Sequence, residues 1–551
     1  MKIAVVQFCR LGDIVQTFPV LAALKRDGNS VDLILRHGFH DLPIPDEAAD
    51  AIHVMPPELE DEVSSESIVR HLQTLSRFCR DLKARRFDVV VNLSHDRESG
   101  WLALYLEPGR IVGVSEGRDR NAHARDGWTQ YLLSALSNRE VGAFNLADVY
   151  AHLTATPLAG HNPELRPEES ATKSARALLG PRRGRLVGLV PGASDERKRW
   201  PAASFAEVGA RLAAEGCHVV LLGAPGEREL ADRVRADSGA PLTNLAGRTS
   251  IPVLIAVLRE LDLIITNDTG TMHLAAGART QTLTVTVGPA AVFESAPYAA
   301  GHVAVQPEIH CHPCHFASFC ADTVCHDLVS PEAVVHLARR QLGGGAESDA
   351  PPDPGMRVFR TRFDAVGRLC VHPLRRYPLR AEDFLRPIYR RLWERSLGSA
   401  YPMPSEPDVA VELEEQWDVA AGARELERIE ALVPRLTRMA ATCRDACVVL
   451  LDAIHSDSGA AGPMLEQLSR SLLLEGELYP LLRPVTELTS LQLQLAGSRS
   501  EGQVLNDMLQ TLSSASDRAT LFARLVATTL DGLNSAEGVG ADRAAPMSMS
   551  S

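Results

Sequence analysis

Short unbroken apolar runs alternate with helically spaced stretches over the first 345 or so residues. Eight runs stand out: Ile3–Phe8, Val31–Leu35, Asp88–Leu93, Arg110–Val114, Leu186–Val190, His218–Gly223, Leu261–Thr266 and Thr282–Val287. They are rich in Val, Ile and Leu and lack polar alternation, which suits parallel strands covered on both faces. Helical spacing between them, as in Phe205–Glu215 and Ile251–Leu258, predicts βαβ units. The runs fall into two groups separated by the Pro- and Glu-rich stretch Pro157–Ser170. The expected layout is one α/β domain over 1–170 and a second over 171–342. A ligand cleft lies between two such sheets at the carboxyl ends of their strands.

Beyond a Gly-, Asp- and Pro-rich linker at 343–356 the pattern changes to helical spacing, which predicts an all-α domain over 357–535. Leu426, Ile429, Val433, Leu436, Ala440, Cys443, Cys447, Leu450 and Ile454 recur at steps of three and four, with Pro434 among them. Such a stripe is either one side of a bundle core or a self-association seam. The small, polar residues of 536–551 predict a disordered tail.

Length and composition agree with several soluble cores: 551 residues, 45% apolar and 23% charged. A net charge of -13 argues against a general nucleic-acid binder, which needs a basic face. No apolar window is long enough to span a bilayer, and the start reads as a buried strand rather than a signal peptide. The expected location is the cytoplasm, or the cytoplasmic face of a membrane.

Candidate chemistry clusters at strand ends. Gly12 and Asp13 follow the first run: the glycine permits close approach of backbone to ligand, and Asp13 is either a helix cap or a general base. Pro191-Gly192-Ala193-Ser194, then Lys198-Arg199-Trp200-Pro201, place small residues and cations where a diphosphate can sit. Glu227 follows Leu221-Leu222-Gly223 and suits a ribose or base contact, or a solvated first helical turn. Thr266-Asn267-Asp268-Thr269-Gly270-Thr271-Met272-His273 passes from a strand into a small-residue helix whose free N–H groups suit phosphate oxygens.

In this order the motifs LGD, PGAS with KRWP, LLGAPGE, TNDTGTMHLAA and VGP resemble glycosyltransferase family 9, the ADP-heptose:lipopolysaccharide heptosyltransferases. The resemblance covers roughly residues 1–340. It implies a GT-B fold of two facing Rossmann-like domains with parallel sheets. It also implies an inverting transfer from ADP-heptose or a related nucleotide sugar, with no catalytic metal. Carried over, Asp13 matches the general base and Lys198 the cation on the leaving ADP. Gly12, Ser194, Glu227, Asp268, Thr269, Gly270 and His273 match the donor site. The implied acceptor is an inner-core lipopolysaccharide sugar; a protein hydroxyl or a non-catalytic scaffold are the rivals. The irregular, acidic stretch from Asp41 to Leu75 and the helical extension depart from the family pattern.

Cys311, Cys314, Cys320 and Cys325 lie close together in sequence among several histidines. Four thiolates so spaced make a structural zinc or iron site, or pack reduced without metal, and both readings stand. Arg357–Arg395 carries eleven arginines against four acidic residues, with Tyr377, Tyr389 and Trp393 among them. It reads as a solvated basic face, a surface for an acidic partner protein, or a contact with an anionic membrane. Ala381–Leu397 is its amphipathic helix candidate.

Overall fold

The computed structural model describes the whole chain except residues 58–64, 117–121, 136–137, 317, 319, 344–352, 403–408, 457–460, 497–500 and 544–551. The chain divides into two compact units. One comprises Met1–Thr129 and Phe144–Leu374, the other Gln130–Ala143 and Arg375–Ser551.

The first unit holds two sheets. In one, β1 (Lys2–Gln7), β2 (Ser30–Leu35), β3 (Ala51–Val54), β4 (Val89–Asn92) and β5 (Arg110–Gly113) lie in the order β3-β2-β1-β4-β5, all parallel. In the other, β6 (Leu186–Val190), β7 (His218–Leu221), β8 (Thr243–Asn244), β9 (Leu263–Asn267), β10 (Thr282–Val285) and β11 (Val303–Pro307) run parallel in the order β8-β7-β6-β9-β10-β11. Both orders reverse beside their first strand, the doubly wound arrangement that leaves a crevice at the carboxyl ends. Each of the eight apolar runs is a strand. Two-sided burial explains the missing alternation: every residue of β6, β9 and β10 is buried. Val187, Leu189, Phe205, Leu263, Val303 and Val334 form part of the second core.

The helical domain does not begin at 357. β12 (Met356–Phe363) pairs antiparallel with β11, and β13 (Leu369–Pro373) pairs antiparallel with β12, extending the second sheet at its edge. Arginines at every second or third position hid the strand pattern. Arg357 is buried at 1% exposure and pairs with Glu308, while Met356, Val358 and Phe359 enter the core. Most of the expected linker, 344–352, lies outside the described residues. So does 544–551 of the expected tail, whereas 536–543 continue the helix Glu501–Arg543.

The second unit is a helical bundle. Ile429, Leu436, Ala440, Cys443 and Leu450 of the predicted stripe are buried, and the helix Val433–Ser456 packs along Glu501–Arg543. The stripe is therefore a core of the bundle; Leu426, Val433 and Cys447 are half-buried, and the side chain of Ile454 lies outside the described residues. Pro434 sits in the first turn of its helix, where no intrahelical N–H is required, and the preceding helix ends at Glu430.

Ala381–Leu397 is a helix as expected, but its basic residues do not make an outer face. Tyr377, Tyr389 and Trp393 are buried. Arg386 pairs with Asp383 at 3.0 Å and donates to the carbonyls of Glu140 and Gly142 at 2.9 and 3.2 Å; Arg390 donates to that of Ala143 at 3.2 Å. Arg386 and Arg390 thus fasten the segment 130–143 into the bundle, whereas Arg362, Arg376 and Arg395 are exposed. Among the described residues, no helix is long and apolar enough to cross a membrane.

Candidate active site

Asp13 stands in the first turn of the helix Leu11–Arg26, whose N-cap is Arg10. Its carboxylate accepts a hydrogen bond from the Arg10 backbone N–H at 3.0 Å. It therefore does make a capping contact, and it also faces the second domain. Burial raises its pKa above the usual carboxylate value, against the opposing pull of the Arg10 N–H and of charge on Arg10, His95 and Lys198.

Two helix N-termini meet here. A Cβ on Gly270 would lie 3.1 Å from the Leu11 Cβ and 3.2 Å from the Gly12 nitrogen, and a Cβ on Gly12 would lie 3.0 Å from the His273 ring. Thr269 is the extended N-cap of the helix Gly270–Gly277, and its hydroxyl lies 3.4 Å from that of Thr266. His273 is fully buried in that helix. Burial, then charge on Lys198, push its pKa down to about 4 against the pull of Asp268, so it is neutral near pH 7.

Lys198 reaches this point from the other side. Its Nζ lies 2.8 Å from the Asp268 carboxylate, with the two side chains 12% and 5% exposed. Glu227 is not freely solvated. Its carboxylate accepts from the Ala224 N–H at 2.8 Å and fills the space above Gly192, where a Cβ would fall 2.0 Å from it. It thus bridges the loops after β6 and β7. Ser194 lies exposed in the loop before the lysine turn. The structure thus brings Gly12, Asp13, Lys198, Asp268, Thr269, Gly270 and His273 together, sets Glu227 against Gly192, and leaves Ser194 at the rim.

Asn267 was quoted in the motif but not singled out. Fully buried, it accepts from the Trp200 N–H at 3.0 Å and donates to the carbonyls of Pro191 and Gly192 at 3.0 and 3.2 Å. It ties both ends of the loop after β6 to the end of β9. Its signal was a polar amide closing an otherwise apolar strand, since a buried amide needs several partners.

All ten cysteines are free thiols. Burial, then the neighbouring Cys311, Cys325 and Cys320, push the Cys314 thiol up to about 11. Cys311 and Cys320 are exposed, Cys325 is buried, and the Cys320 thiol turns to the Asp322 carbonyl at 3.0 Å. Among the described residues, no three Cys, His, Asp or Glu side chains stand together as a ligand set. The thiols sense one another's charge, but a metal would require them to turn from this placement.

Residues 75–319 match the profile of glycosyltransferase family 9 (heptosyltransferase). The chain is 24% identical to the lipopolysaccharide core heptosyltransferase OpsX of Haemophilus influenzae over 36% of this chain and 56% of that one. It is 36% identical to lipopolysaccharide heptosyltransferase 2 of Salmonella typhimurium over 16% and 28%. The aligned stretches thus cover about half or less of these relatives. A solved family 9 glycosyl transferase from Veillonella parvula superposes with a TM-score of 0.51 at 19% identity, covering 62% of this chain and 97% of that one. That likeness is one of fold, the GT-B arrangement of two Rossmann-like domains. Over residues 75–319 of its α/β unit, the chain is thus similar to glycosyltransferase family 9, the heptosyltransferases.

Proposed function

We propose that the protein is an inverting glycosyltransferase that moves a heptose from ADP-heptose to a hydroxyl of an inner-core lipopolysaccharide sugar. One observation carries this reading: a buried carboxylate of raised pKa, Asp13, faces the Lys198–Asp268 pair where two helix N-termini meet. The acceptor oxygen attacks the anomeric carbon as the bond from that carbon to the ADP oxygen breaks. Asp13 takes the acceptor proton, and a carboxylate whose pKa is raised is a stronger base than an ordinary one. Negative charge builds on the departing diphosphate. Lys198 and the N–H groups at the start of Gly270–Gly277 meet that charge, so the step is written without a metal. Glu227, held between Gly192 and Gly223, would accept from ribose hydroxyls.

The test follows ADP release from ADP-heptose in the presence of deacylated inner-core acceptor. Acceptor-dependent release with inversion at the anomeric carbon supports the reading. Binding of ADP-heptose without transfer to any saccharide acceptor would overturn it.

A further inference from the structure

The turn carrying Lys198 is held by a residue that the reaction does not otherwise use. Arg197 donates from Nε and one terminal nitrogen to the Asp195 carboxylate at 3.0 and 2.7 Å. Its other terminal nitrogen donates to the backbone carbonyls of Phe316 and Ser318 at 2.8 and 2.9 Å. Its own carbonyl accepts from His326 Nε2 at 2.9 Å. That carbonyl also packs on Gly288, where a Cβ would fall 2.2 Å away and φ is +59°. The Gly288 carbonyl in turn accepts from the Cys314 N–H at 3.0 Å. The loop bearing Cys311, Cys314, Cys320 and Cys325 is thus fastened to the residue next to Lys198. The Phe316 ring centre stands 5.7 Å from the Lys198 Nζ.

A planar guanidinium engaged on both edges fixes the backbone around it, whereas a lysine ammonium on a four-carbon stem does not fix itself. The Lys198 Nζ, paired with Asp268 in this structure, must follow charge onto a departing diphosphate. Its backbone anchor sets how closely it can do so, and electrostatic stabilisation is sensitive to such placement.

We propose that Arg197 is a positioning residue for Lys198, splinting the turn at 195–198 to the cysteine-bearing loop so that the fold of that loop governs how Lys198 meets the leaving diphosphate. The inference rests on the role of Lys198 proposed above.

A double-mutant cycle on the full chain tests it, read as kcat with ADP-heptose and as ADP affinity by calorimetry. Arg197→Ala should lower kcat by about tenfold while the donor KM moves by less than about twofold. In a Lys198→Ala background the same change should lower kcat by less than about twofold, because the group it positions is gone. Arg197→Lys, which keeps the charge and can reach one carbonyl, should recover part of the loss. It also stands in for the alanine variant if that one fails to fold. Equal losses in both backgrounds mean that Arg197 acts on the fold alone, and overturn the proposal. If the wild type binds ADP but transfers no heptose, the functional reading has failed, and the ADP arm still decides this one. Weaker ADP binding confined to the Lys198 background supports positioning, and equal weakening overturns it. A wild-type chain that does not bind ADP overturns both.

Discussion

Asp13 and Asp268 are two carboxylates of one site held in opposite ways. Asp268 is buried and paired with the Lys198 ammonium at 2.8 Å. Asp13 accepts from the Arg10 backbone N–H, and burial raises its pKa. One faces a cation directly and the other sits where burial favours its protonated form, so two like groups of one site are held in opposite electrostatic settings.

The sharpest way to break the contrast is Asp13→Ala. It should lower kcat by about 10³-fold while ADP affinity changes by less than about twofold. Wild-type turnover in this variant leaves Asp13 as a helix cap and nothing more. In the wild type, kcat should rise with pH along a limb above the ordinary carboxylate range, because only ionised Asp13 accepts the proton.

Removing the cation on the other side should cost less in rate but more in stability. Lys198→Ala should lower kcat by about 10²-fold and destabilise the fold by about 3 kcal/mol, since the buried Asp268 carboxylate loses its ammonium partner. Adding Asp268→Asn should restore the melting temperature and not the rate. Recovery of both would mean that the pair is structural.

Two neutral histidines make the α/β unit sensitive to acid. His273 and His302 are fully buried, chiefly burial holding each pKa at about 4 against an ordinary 6.5. The unfolded chain takes up their protons first as pH falls, so stability is full above 6.5 and declines between 6.5 and 4. The loss should reach about 2 kcal/mol per histidine at pH 5. Thermal unfolding from pH 7 to 5 checks it, and a flat profile contradicts it. The smallest effect belongs to the nucleoside side. Glu227→Gln keeps an acceptor for the Ala224 N–H but loses the charge, and should weaken ADP by about tenfold without altering kcat.

The sequence shows some of these features and hides others, for physical reasons. Strands buried on both faces announce themselves as unbroken apolar runs, so β1, β6, β9 and β10 were readable. β12 was not, because Arg357 enters the interior with its own partner, Glu308, and breaks the apolar pattern. Asp13 and Lys198 were readable through motif order. The ion pair with Asp268 was not, since 70 residues separate its ends and only the fold joins them. Arg197 carries no such signal, because its contacts include the carbonyls of Phe316 and Ser318, and backbone partners leave no trace in residue type. Asp13 completes a helix start and also faces the cleft, two placements that local sequence alone does not separate.

The segment 130–143 leaves the first α/β domain to join the bundle, where Asn138 donates to Glu487 at 2.8 Å and Gln492 to Gln130 at 2.7 Å. The helical unit is consequently an interleaved body and not a trailing appendage. Cutting the gene near residue 375 would strip that segment of its partners, so a graft or swap of the unit has to carry both pieces of chain. Amide exchange makes the same point: protection across Gln130–Ala143 should rise and fall with the bundle, not with the strands that flank it in sequence.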